Sequence, residues 1–203
     1  MREETPYNPL DKVHLGASVA KAILSRLVEP LPPADVFLGA GTYAIYYTGD
    51  FPAYRKISDR NRRNRFTCPI YVGKAIPAGA RRGGLGLNIA PGRALYNRLA
   101  EHGQSVEDAA NLDRQDFKCR FLVVDDIWIP LGEALLIQQF NPVWNTTLDG
   151  FGNHDPGSGR YSQQRSPWDV VHPGRAWAAR CRDNGRPESE LLTAIQAAID
   201  AIP

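Results

Sequence analysis

The sequence predicts an α+β fold, with a small antiparallel sheet of about three strands flanked by helices in a single domain of 203 residues. Three observations point there. Aromatic and β-branched residues concentrate in three short runs, 36–47, 69–74 and 117–126. Apolar residues recur at three- and four-residue steps in 11–29, 93–102 and 130–140, as on one face of a helix. The length leaves little room for two independent cores.

In the first helical segment Val13, Ala17, Ala20, Ile23, Leu24, Leu27 and Val28 share a face, and Pro30, Pro32 and Pro33 end it. The strand from Val36 to Tyr47 closes at the turn Thr48-Gly49-Asp50. Residues 50–68 lack a continuous apolar period and are expected to form a basic insertion or long loop. Pro69 to Lys74 should pair antiparallel to the first strand. The Gly/Pro-rich connection 77–92 contains Arg81-Arg82-Gly83-Gly84, and loops of that length are more often functional than accidental. From Arg93 to His102 a helix turns Leu95 and Leu99 inward and sets Arg98 and His102, four apart, on one face. Pro130 opens a helix carrying Glu133, Leu136, Ile137 and Phe140, and Asn141-Pro142 stops it. A loop rich in Gly, Ser, Asn and Gln spans 150–167, and helices are expected at 175–182 and 188–202.

With 43% hydrophobic and 23% charged residues the chain is a globular one and not a disordered tail. No apolar run approaches the ~18 residues of a membrane span. The start Met1-Arg2-Glu3-Glu4 is unlike a secretory signal, so a cytoplasmic protein without membrane contact is expected. Cys68, Cys119 and Cys181 form no CxxC pair, which argues for reduced thiols and against a zinc cluster. The net charge of +2 hides an asymmetry. Residues 41–100 hold eleven Lys/Arg against two acids, a net of +9, and the remainder is acidic. Such a concentration suits a polyanion, most simply nucleic acid phosphates, although an isolated basic run can also be a solvated loop.

Taken singly, the candidate residues have structural explanations. Strand tyrosines such as Tyr43 and Tyr71 pack half-buried, Glu133 in a first helical turn complements the helix dipole, and Asn145 suits a turn. The ordered set says more. Gly41-Thr42-Tyr43, Tyr71-Val72-Gly73, Arg98-x-x-x-His102, Glu133 and Asn145 resemble the GIY-YIG nuclease signature. Glu133 to Phe140 followed by Asn141-Pro142-Val143-Trp144-Asn145 looks like that family's glutamate helix and its Pro-x-x-Asn turn. The first motif has threonine in the middle position, a buried change without consequence for chemistry. The long spacing between the two tyrosines points to a specialised branch, resembling the type II restriction endonucleases that cut the palindrome CCGCGG.

The resemblance implies a GIY-YIG core over about 36–147, with an N-terminal helical extension (1–35), the basic insertion (50–68) and a C-terminal loop and helices for DNA recognition (148–203). It implies a Mg2+-dependent, site-specific deoxyribonuclease with one divalent ion per active site, held by Glu133 as a single hard oxygen ligand. Arg98 would bridge phosphate oxygens. Tyr43 would accept the proton of the attacking water, its anion helped by Lys74, Arg98 and the metal, and Tyr71 would position water or phosphate. The reverse assignment of the tyrosines is open. His102 would orient this constellation or share the proton, and Asn145 would hold the phosphate or the Glu133 carboxylate. For DNA, Arg60, Arg62, Arg63 and Arg65 are assigned to phosphates and Arg160, Gln163, Gln164 and Arg165 to bases, with Arg81 and Arg82 as further contacts. A palindromic site implies a homodimer on double-stranded DNA, and a cognate DNA methyltransferase as genetic partner in a bacterium. The competing readings are a GIY-YIG repair or mobile-element nuclease and a catalytically inactive DNA-binding module.

Overall fold

The computed structural model describes residue 8 and residues 10–77 and 90–202. The expected DNA contacts Arg81 and Arg82 lie outside the described residues. The elements are α1 (Lys12–Leu24), β1 (Glu29–Pro30), β2 (Gly41–Tyr47), α2 (Arg55–Asn61), β3 (Tyr71–Ala75), α3 (Ala94–Asp108), β4 (Phe117–Val123), α4 (Ile129–Phe140), α5 (Val143–Thr146), α6 (Pro167–Val171) and α7 (Glu188–Asp200). The sheet has four strands in the order β1-β4-β2-β3, all paired antiparallel.

Every residue of the central strand β2 is buried, because its alternating side chains enter two cores. Tyr43, Ile45 and Tyr47 join Leu95, Leu99, Trp144, Phe151 and Trp168 on one face. Ala44 and Tyr46 meet Ala20, Ile23 and Leu136, from α1 and α4, on the other. The result is a sheet between two helical layers, with β3 at its edge.

The architecture departs from the sequence expectations in identifiable places. The first helix stops at Leu24, and Glu29-Pro30 instead makes a fourth, two-residue strand against Lys118 and Cys119. The strand expected from Val36 begins only at Gly41, because the amide and carbonyl of Gly39 bond to Gly92 and Leu95 at the start of α3 and so leave the ladder. The insertion is not a loop but contains α2, whose inward positions are Ile57, Ser58 and Asn61. Polar residues on the buried face mask its apolar period. Asn61 is at home there because its amide bonds the backbone of Tyr47 and Cys68. The expected helix 175–182 is reduced to a single 3-10 turn, Ala178–Arg180, while α6 stands where the loop was expected to end.

Candidate active site

Tyr43 sits at the middle of β2, directly opposite Gly73 on β3. A Cβ at Gly73 would lie 2.3 Å from the Tyr43 hydroxyl, so only glycine lets the phenol cross the neighbouring strand. The ring packs toward α3, where His102 is 1% exposed. There the Tyr43 hydroxyl and His102 Nε2 are 2.6 Å apart. Tyr71 closes edge-on against the same imidazole, with centroids 5.2 Å apart.

On the other side of the sheet edge Lys74, paired in register with Thr42, meets Glu133 of α4, with Nζ 2.5 Å from Oε2. Because α4 starts at Ile129, Glu133 lies beyond the first turn. Lys74 therefore matches its charge, and the helix dipole does not account for it. Arg98 projects from α3 and donates to the Gly152 carbonyl (2.7 Å) and to Glu101 Oε2 (2.9 Å), with His154 Nε2 2.5 Å from its Nη1.

Asn145 was expected on the phosphate or on Glu133. In the structure its amide grips the Val72 peptide instead, accepting from Val72 N and donating to Val72 O, both at 2.8 Å. The left-handed Asn141 (φ 44°) ends α4 and Pro142 starts α5, and this reversal carries Asn145 to β3. Pinned there, it fixes the strand residue between Tyr71 and Gly73.

Tyr43, Tyr71, Lys74, Arg98 and Glu133 line one cleft of ≈ 580 Å³, together with Asn97, Glu101 and His154. His102 stands behind Tyr43 and Asn145 beneath β3. Sequence reasoning missed Asn97, Glu101 and His154. Glu101 could have been found from its i+3 spacing to Arg98, whereas His154 comes from a loop without periodicity.

Burial pushes the Tyr43 phenol well above its ordinary value, the nearby Tyr71 adds to this, and Arg98 only partly opposes it. Tyr71 is raised for the same leading reason. The expectation that cations hold Tyr43 as an anion is thus not met in the resting protein: its phenol is protonated, and Lys74 is engaged by Glu133. His102 moves the opposite way, far below the usual imidazole range, through burial and then the repulsion of Arg98. A neutral imidazole therefore faces a protonated phenol, and in the tautomer with its proton on Nδ1 the ring accepts from Tyr43 at Nε2.

Among the described residues no three His, Cys, Asp or Glu side chains gather to hold a metal. Two carboxylates line the cleft: Glu101, which is paired with Arg98, and Glu133, partly exposed at 20%, which is the hard oxygen donor tied to the tyrosine strand β3 through Lys74. That chemistry fits a hydrated magnesium-like ion, which keeps several waters and takes substrate phosphate oxygens, better than a metal held by protein ligands alone.

The residues expected to touch DNA lie in two places. Arg62 is committed to the protein, bonding Thr48 O, Gly49 O and Asp50 Oδ1. Arg65 donates to the carbonyls of Arg62 and Asp59 at the end of α2. Arg63 is exposed, and Arg60 lines a surface groove with Arg55, Lys56 and Arg65. In the second place, Arg160, Gln163 and Gln164 are exposed, and Arg165 turns its Nε to the Ala178 carbonyl.

Among the described residues no helix is long and apolar enough to cross a membrane. No curated protein matches the chain. The family model of the Eco29kI GIY-YIG domain matches residues 35–199, a span that holds every cleft residue named above and continues past residue 147 into α7. The match spans most of the chain, and the chain belongs to the Eco29kI GIY-YIG nuclease family.

Proposed function

We propose that the protein is a type II restriction endonuclease that hydrolyses both strands of a palindromic GC-rich site in double-stranded DNA, CCGCGG by resemblance. We further propose that it acts as a homodimer with one Mg2+ per active site, alongside a cognate methyltransferase. The observation that supports this best is the Tyr43–His102 contact opening into a cleft that also holds Arg98, Tyr71, Lys74 and Glu133.

The chain's own residues suffice to describe the proton path. Water in the cleft attacks phosphorus and gives its proton to the Tyr43 oxygen as Tyr43 passes its own proton to His102 Nε2. The new O–P bond forms, the bond to the leaving oxygen breaks, and that oxygen takes a proton from solvent. Arg98 offers its fork to the non-bridging oxygens, held at the right height by Gly152 and Glu101. Tyr71 orients the water or the phosphate, and Asn145 acts indirectly, by fixing β3 beneath Tyr71. Glu133 would hold the metal ion, which supplies charge neutralisation at the phosphate and help to the departing oxygen. Lys74 pairs with Glu133 and holds it at the cleft. Arg160, Gln163 and Gln164, all exposed, would read bases. The α2 surface, with Arg60, Arg63 and Arg65, meets phosphates, and Arg62 serves it by anchoring the turn below.

Incubating the protein with a long duplex DNA and Mg2+ tests the reading. Discrete fragments that disappear in Glu133→Ala, with DNA binding retained, are the expected result. Nicks that follow DNA structure would favour a repair or mobile-element nuclease, and binding without any cutting would leave a DNA-binding module.

A further inference from the structure

Four consecutive carbonyls, from Gly150 to Asn153, are divided between two arginines. Those of Gly150, Phe151 and Asn153 accept from the Arg175 guanidinium at 2.9, 3.1 and 3.1 Å. The one between them, Gly152 O, accepts from Arg98 at 2.7 Å. The remaining Arg175 donors form a fork on Asp169, with Nε to Oδ1 and Nη2 to Oδ2 both at 2.7 Å. All five N–H donors of Arg175 are therefore occupied. Its side chain is 2% exposed and that of Asp169 1%. The guanidinium lies between the Trp168 and Trp177 rings, at 4.6 and 4.7 Å from their centroids. Ser166 steadies the acid by donating to Asp169 Oδ2.

A buried ion pair is weak support for stability, because desolvation offsets much of its attraction. A fully satisfied network instead fixes geometry. Here it fixes a backbone turn. With three carbonyls drawn to Arg175, the fourth is presented to Arg98, and the Phe151 ring lies flat on the His102 imidazole, centroids 4.5 Å apart and planes 17° from parallel.

We propose that Arg175 is a positioning residue for the nuclease site, holding the 150–153 turn so that Gly152 sets the Arg98 guanidinium. The assignment rests on the nuclease reading above. It gives the C-terminal segment, expected from sequence to serve DNA recognition, a part in building the catalytic wall.

Arg175→Lys keeps the charge but cannot reproduce the fork. Single-turnover cleavage of saturating duplex DNA with Mg2+ is expected to fall by about tenfold or more, while the same substitution in an Arg98→Lys background costs less than about threefold. Equal losses in both backgrounds would overturn the proposal. If Arg175→Lys shows no cooperative unfolding, Asp169→Asn, which loosens the same guanidinium, goes through the same cycle under the same criterion. A second readout needs no substrate. The Arg98 guanidinium N–H signal in 15N NMR, assigned by its loss in Arg98→Lys, should be protected from exchange in the DNA-free protein and broadened in Asp169→Asn. An unchanged signal would overturn the proposal. A parent protein that cuts no DNA would defeat the nuclease reading, and the spectrum would still decide whether Arg175 sets Arg98.

Discussion

The Tyr43 hydroxyl lies 2.6 Å from Nε2 of His102, and both residues are shut away from solvent except where the phenol reaches the cleft. Since the phenol is held protonated and the imidazole neutral, Tyr43 becomes a base only by handing its own proton on. Tyr43→Phe keeps the ring and its packing but removes the relay. It is expected to cost about 10²–10⁴ in single-turnover cleavage, the usual reach of a general base, with DNA affinity nearly unchanged. His102→Gln should fall in the same range. Full activity in His102→Gln would show that the proton leaves Tyr43 by another route.

Gly73 gives a test that touches no functional group. An alanine Cβ would meet the Tyr43 hydroxyl and ring carbons at 2.3–3.0 Å. One methyl group must therefore displace the phenol from its line between His102 and the cleft. Gly73→Ala is expected to remain folded, losing about 1–3 kcal/mol to overpacking. Its cleavage should fall nearly as far as that of Tyr43→Phe. A variant that retains parental rates would mean that the phenol's position is not critical.

Asn145 makes a contrasting case, because both its amide groups are on the Val72 peptide. Asn145→Ala leaves a strand N–H and C=O to find other partners, at a cost of about 1–3 kcal/mol. Chemical denaturation should register this loss, and cleavage should fall with it through Tyr71. Lost activity without lost stability would move Asn145 from positioning β3 to direct contact with the phosphate.

What could be read in advance follows from how each residue is held. Tyr43, Leu95, Leu99 and the Arg98–His102 pair obey strand or helix periods, so their faces were legible in the sequence. The helix α2 was not, because Ser58 and Asn61 occupy buried positions that the period assigns to apolar side chains. The partner of Asn145 was hidden for a different reason: it is a backbone 73 residues away. The turn 150–153 is organised by carbonyls, which carry no residue identity, and Arg175 in the sequence is indistinguishable from a solvated arginine.

Two buried histidines make stability depend on acidity. His102 is lowered by burial and by Arg98, and His172 by burial alone, to about 3. His172 accepts from Tyr54 at Nε2, and Nδ1 faces Asn111 Oδ1, whose amide nitrogen is already given to Val171 O. Both rings are thus neutral when folded, whereas unfolded histidines titrate near ~6.5. Below that value the unfolded chain binds more protons than the native one, so stability is complete above about pH 6.5 and is lost as pH falls toward the folded values. Each histidine contributes up to about 1.4 kcal/mol per pH unit in this window. Urea unfolding of the parent should weaken steeply between pH 6.5 and 4.5. His172→Gln should start from lower stability at pH 7 but decline with a slope shallower by about one proton. A variant that declines as steeply as the parent would show that His172 is not the buried neutral group that the Tyr54 and Asn111 contacts describe.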